Sequence, residues 1–248
     1  MLVDFCLPIK NEEKILVQNL ERLLSYCRQA GFSFSWRIVG VINGSTDASV
    51  KILADFKNKY PTEIDYFEVP EPGRGGALKK YWSLSSADVF SYMDADLAVN
   101  LDNLIHLVSP IVNRECEVVI GSRLLIDSRI KRSWGREIVS QSYNFISRRL
   151  LNYQVADLQC GFKAINAKTF RALQPWLQDD YWFFDTELVV LAQCLGYRVK
   201  EVPVDWQENR FDKRSSTVKV FRDSLIFLKN LWNFRKRLAK LKKSLGNV

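Results

Sequence analysis

The sequence predicts an α/β fold with a mostly parallel sheet flanked by helices. Across its first two thirds, short apolar runs alternate with longer stretches of helical periodicity. Three of those runs end in polar clusters, at 8–12, 43–47 and 94–96. A parallel sheet collects such clusters at the carboxyl ends of its strands. The chain has 248 residues, 47% of them apolar and 26% charged. That is enough for one large core with an appendage, and it excludes disordered and fibrous classes.

Val3 to Leu7 reads as a buried strand ending at Pro8. Glu12 to Ala30 reads as a helix with Ile15, Leu16, Leu20, Leu23 and Leu24 on one stripe. Trp36 to Ile42 is the next strand, and it runs into Asn43-Gly-Ser-Thr-Asp47, a turn rich in helix-capping residues. Ala48 to Asn58 is helical and Glu63 to Val69 extended. Glu71-Pro-Gly-Arg-Gly-Gly opens a helix reaching Ser86, and Asp88 to Met93 is a strand that stops at Asp94. After Val119-Ile-Gly-Ser-Arg123 the pattern changes. A long helix is expected over Trp134 to Asn152, then a turn and short strand over Asp157 to Lys163. A helix from the Tyr181-Trp-Phe-Phe-Asp-Thr-Glu187 segment to Leu195 follows, and then a strand over Tyr197 to Val204.

Charge divides the chain. Of a net +8, the excess lies from Lys213 onward, where eleven Lys and Arg face one acid, Asp223. The expected organisation is a body over 1–214 and a basic, amphipathic helical tail over 215–248. Apolar and aromatic residues stand beside cations in the tail, which suits either a membrane interface or a surface helix docked on the core; a nucleic-acid partner is not expected. Five cysteines without C-x-x-C spacing fit reduced thiols. The single histidine, His106, disfavours a histidine-based metal site or triad. No secretory leader or membrane-spanning run is read, so a peripheral protein on the cytoplasmic face of a membrane is expected.

Asp94-Ala-Asp96 follows a buried strand, and two carboxylates at a strand end suit Mg²⁺ or Mn²⁺, which prefer hard oxygen ligands and leave room for substrate phosphates. Arg74 and Lys79 bracket the Gly73/Gly75/Gly76 turn; both a phosphate-binding turn and a plain loop fit. Arg136 and Ser140, four residues apart, share one helix face. Asp185 suits either a ligand contact or a helix cap.

The succession Leu7-Pro-Ile-Lys-Asn-Glu12, Asn43-Gly-Ser-Thr-Asp47, Gly73-Arg-Gly-Gly-Ala77, Asp94-Ala-Asp-Leu97 and Gly121-Ser-Arg123 resembles family 2 glycosyltransferases of the GT-A fold, a Rossmann-like architecture. Gln159-Cys-Gly-Phe-Lys163, Phe184-Asp-Thr-Glu187 and Glu201-Val-Pro-Val-Asp-Trp-Gln207 are similar to the polyprenyl-phosphate sugar synthases, above all dolichyl-phosphate β-glucosyltransferases and then dolichyl-phosphate mannose synthases. The resemblance implies inverting, metal-dependent transfer of a hexose, glucose by preference, from a UDP- or GDP-sugar to a polyprenyl phosphate. Catalysis would then be positioning and electrostatics.

On that resemblance Asp94 and Asp96 hold the metal, and Asp96, Arg123 and Arg136 are the catalytic candidates. Pro8, Asn11, Glu12, Asn43 and Asp47 line the nucleotide pocket, and Arg74 and Lys79 approach phosphate. Arg136 and Ser140 clamp the lipid phosphate. Asp157, Gln159, Lys163, Asp185 and Glu187 surround the sugar, and Arg210 belongs to a closing loop. The chain departs from the family at Ile42-Asn43, where two acids are usual, and over 209–216, which lack the usual glycine. Ala98 replaces the Gln of mannose synthases. Alternatives are a family 2 transferase with a soluble or glycan acceptor and a catalytically silent binding module.

Overall fold

The computed structural model describes residues 1–131, 134–207 and 220–246, side chains within 131–142, 220–225 and 245–246 excepted. The order is β1 (Leu2–Ile9), α1 (Glu13–Gln29), β2 (Ser35–Asn43), α2 (Ser49–Lys59), β3 (Ile64–Val69), α3 (Arg74–Leu84), β4 (Val89–Met93), α4 (Asn103–Val112) and β5 (Val118–Ser122). Then come β6 (Arg129–Lys131), α5 (Trp134–Leu151), β7 (Phe162–Asn166), α6 (Ala167–Leu173), α7 (Phe184–Cys194), β8 (Val199–Pro203), β9 (Asp205–Gln207) and α8 (Val220–Gly246).

Seven strands form one sheet in the order β3-β2-β1-β4-β7-β5-β8, and β6 pairs with β9 beside it. All pairings in the large sheet are parallel except those of β7, which runs antiparallel between β4 and β5. That reversal matters for the site. It lays the start of β7 against the carboxyl end of β4, with Phe162 opposite Met93.

Side chains alternate across the sheet, as strand geometry requires. Val3, Phe5, Leu7 and Ile9 of β1 face one layer with α1, α2 and α4; Cys6 faces the other, with α3, α6 and α7. Of the expected α1 stripe Leu16, Leu20, Leu23 and Leu24 are buried and Ile15 is half-buried, and Cys27 joins the buried face. Asp4 interrupts the apolar strand yet is fully buried. Arg37 pairs with both its oxygens at 3.0 Å, and Tyr81 and Ser85 donate to it at 2.6 and 2.7 Å, so the buried carboxylate is compensated.

The C-terminal helix shares this core. Leu231, Phe234, Leu238 and Leu241 of α8 are buried in the layer that also holds α3, α6 and α7. Its remaining surface exposes Ile226, Leu228 and Trp232. Among the described residues no helix is long and apolar enough to cross a membrane.

Candidate functional site

The ends of β2, β1 and β4 are neighbours in the sheet, so the three polar clusters form one rim. At its first part the loops after β1 and β2 are tied together. Asn11 adopts φ 57°, its Oδ1 accepts from Thr46 N at 2.7 Å, and its own N–H donates to Ser45 Oγ at 3.1 Å. The two helices that follow cap each other: Asp47 accepts from Glu13 N and Ser49 N, each at 3.0 Å, while Glu13 accepts from Ala48 N at 2.9 Å. Partial burial raises the Asp47 carboxyl, but hydrogen bonds from Ser49 and Glu13 outweigh it and hold it below its ordinary range. Glu12 N donates to Ser49 Oγ, buried Asn43 donates to Ile9 O at 3.0 Å, and Pro8 lies opposite Val41. Pro8, Asn11, Glu12, Asn43 and Asp47 thus stand together, with Asp47 already engaged in capping.

The second part is the turn after β4. Leu97 N donates to Asp94 O at 3.0 Å, Leu97 takes φ 49°, and Asp96 Oδ1 accepts from Ala98 N at 3.1 Å. The Asp94 side chain is 47% exposed. Beneath it lies Gly161, just before β7, where any Cβ would come within 2.5 Å of the Asp94 carboxylate. The missing side chain is what gives Asp94 its place.

Around Asp94 the charges alternate. Arg74, at the start of α3, lies 3.3 Å from Asp94 and 3.3 Å from Asp185, between the rings of Tyr92 and Trp182 at 5.0 and 4.9 Å. Its Nε and Nη2 are buried without a hydrogen-bond partner. Lys163, on β7, donates to Asp185 at 2.7 Å and to Cys160 O at 2.5 Å, and Tyr92 donates its hydroxyl to Asp185. Burial pushes the Lys163 ammonium down to about 7 and the Asp185 carboxyl up to about 6. Arg123 grips the fully buried Asp157 through Nε at 2.7 Å and Nη2 at 3.0 Å. Gln159 Nε2 donates to Thr186 Oγ1 at 2.8 Å.

Other candidates have structural partners. Glu187 is buried and accepts from Gln178 N at 2.7 Å, Asp179 N at 2.8 Å and Arg237 of α8. Lys79 reaches Asp180 at 2.8 Å and Leu177 O at 3.2 Å. The glycine turn serves close packing: a Cβ on Gly75 would lie 2.5 Å from Phe184, and Gly76 N donates to Asp180 O at 2.9 Å. Arg136 and Ser140 fall on α5 at i and i+4, with side chains outside the described residues, and Arg210 also lies outside them. The sequence reading passed over Tyr92, Gly161 and Trp182, though each stands inside or beside a motif it singled out.

Asp94 and Asp96 suit Mg²⁺ or Mn²⁺ in kind and placement: both are hard oxygen donors, and the space over Gly161 admits the Asp94 carboxylate. Among the described residues no group of three or more His, Cys, Asp or Glu gathers as a full metal cage. A two-carboxylate donor set leaves the other positions to phosphate oxygens and water.

The model of glycosyl transferase family 2 matches residues 4–173. Glycosyltransferase AglD of Haloferax volcanii is 32% identical over 217 residues, 88% of this chain and 33% of that protein. The chain therefore spans about a third of that relative's length. Dolichyl-phosphate beta-glucosyltransferase of Dictyostelium discoideum is 29% identical, over 87% of this chain and 70% of its own. In fold the chain is similar to glucosyl-3-phosphoglycerate synthase of Mycobacterium tuberculosis, crystallised with Mn²⁺, UDP and glucosyl-3-phosphoglycerate: TM-score 0.65, 16% identity, 93% of this chain and 79% of that one.

Proposed function

The chain belongs to glycosyltransferase family 2, and from that premise we propose that it moves a hexose, glucose by preference, from a nucleoside-diphosphate sugar to a polyprenyl phosphate with inversion at the sugar. The observation that carries the donor half is Arg74. Its guanidinium meets the two-acid turn through Nη1, 3.3 Å from Asp94, so a fixed positive charge stands where a diphosphate oxygen would lie beside the two carboxylates.

Asp94 and Asp96 would hold Mg²⁺ or Mn²⁺, which supplies neutralising charge to the diphosphate as the sugar departs. Pro8, Asn11, Glu12 and Asn43 provide the rim on which the nucleoside would lie. Asp185 and Lys163, buried and joined to each other and to Tyr92, would form a fixed polar support beneath the sugar. Asp157 holds the guanidinium of Arg123 in a two-point grip, a fixed charge that would serve the substrate phosphates. An acceptor phosphate is already anionic, so these residues need only align it and screen its charge.

The acceptor class rests on the likeness to dolichyl-phosphate glucosyltransferases, with Arg136 and Ser140 as the proposed clamp. Action on such an acceptor would bring the enzyme to a membrane surface, for which we propose the cytoplasmic face. The test is incubation with polyprenyl phosphate, Mn²⁺ and UDP-glucose or GDP-mannose, followed by extraction of lipid. Lipid-linked sugar should form, and Asp94→Asn should reduce it on the order of 10²-fold or more. Absence of product with every common donor sinks the proposal, and transfer to a soluble acceptor alone would overturn its acceptor half.

A further inference from the structure

Arg74 does more than face a ligand, because it sits on the carboxylate that a metal ion needs. Its guanidinium is 3.3 Å from Asp94, and the side chain is only 10% exposed. It has little freedom to withdraw. Asp185 holds it from the far side at 3.3 Å, and the rings of Tyr92 and Trp182 flank it. A dication arriving alone at Asp94 would meet a carboxylate already neutralised and a fixed positive charge beside it. Nη1 makes the contact to Asp94 and Nη2 the contact to Asp185, so the one guanidinium is shared between two carboxylates. A diphosphate changes this balance, because its negative charge offsets the guanidinium that repels the metal.

We infer that Arg74 makes metal binding at Asp94 conditional on the nucleoside diphosphate, so that metal and nucleotide enter together and neither is held alone. This rests on the donor reading above. By linkage the coupling is reciprocal: whatever factor UDP adds to Mn²⁺ affinity, Mn²⁺ adds to UDP affinity.

The test is Mn²⁺ binding followed by electron paramagnetic resonance, with and without UDP or GDP, corrected for the Mn²⁺–nucleotide complex measured without protein. In the natural chain the nucleotide should tighten Mn²⁺ binding by about tenfold or more. Arg74→Gln should bind Mn²⁺ in the absence of nucleotide about tenfold more tightly than the natural chain, and its nucleotide enhancement should shrink. Arg74→Lys, which keeps the charge, should keep the dependence. Equal or weaker nucleotide-free Mn²⁺ binding by Arg74→Gln overturns the inference. Should that variant not fold, as judged by near-UV circular dichroism, the natural chain decides: Mn²⁺ bound equally well without nucleotide overturns it. That outcome leaves the donor reading standing, whereas no Mn²⁺ binding under any condition removes both.

Discussion

Asp157 is wholly buried, and burial alone would push its carboxyl up; the Arg123 guanidinium and the hydrogen bonds it brings outweigh that and hold the group below its ordinary range. A carboxyl depressed in the folded state contributes stability that is complete above its unfolded pKa, about 4, and is lost as pH falls through the folded value. Asp157→Asn leaves Arg123 buried without its counter-charge, and it should lower unfolding free energy at neutral pH by about 3 kcal/mol. The gap between the natural chain and the variant should stay level above about pH 4 and narrow below it, where the natural carboxyl is protonated. Melting curves across that range check this, and a gap that widens in acid would refute it. At this scale the sequence was unevenly readable. Asp94 and Asp96 stood out because they end a buried apolar run. The ion-pair partners of Arg74, Arg123 and Lys163 did not, because each lies on a different element of the chain, and no local spacing encodes them.

The elements themselves were largely visible, for a physical reason: periodicity reports burial, and burial defines these helices and strands. The α1 stripe and the alternating β1 run are cases. Periodicity is silent on direction, so the antiparallel course of β7 was hidden, although it is what brings Gly161 to Asp94 and sets Lys163 opposite Tyr92. It is silent also on docking. Glu187, an expected sugar contact, ties α8 to α7: two backbone N–H groups of the 178–179 loop and Arg237 share its carboxylate. Arg237→Ala would leave that carboxylate buried with one partner fewer, and we predict a loss of about 2–3 kcal/mol of unfolding free energy with nucleotide binding unchanged. Denaturant unfolding measures the first and calorimetric titration with UDP and Mn²⁺ the second. A stability change within about 0.5 kcal/mol would mean that the contact does not anchor the helix.

Over the whole molecule, the positive charge and the exposed apolar residues meet on the outer side of α8. Its inner stripe, Leu231, Phe234, Leu238 and Leu241, is consumed by the core, and Arg237 is taken up by Glu187, while other cations stand beside the exposed apolar residues. There Leu228 and Trp232, one turn apart, are 45% and 53% exposed, and Arg235 and Lys236 lie over the Trp232 ring at 6.0 and 5.7 Å. Aromatic and aliphatic groups flanked by long cationic stems match an anionic bilayer surface, where the rings enter the headgroup layer and the ammonium groups remain among phosphates. A docked inner face and a membrane-facing outer face are compatible on one helix, since they use different sides of it. The full chain should therefore sediment with vesicles containing about 30% phosphatidylserine, and less so as salt rises. Leu228→Ala with Trp232→Ala should weaken that partition about tenfold or more, because each side chain loses apolar area otherwise buried in lipid. The melting temperature should hardly move, as neither residue belongs to the core. Partition unchanged by the double substitution would assign membrane contact, if any, to another face, and a large fall in melting temperature would mean that these side chains serve the fold.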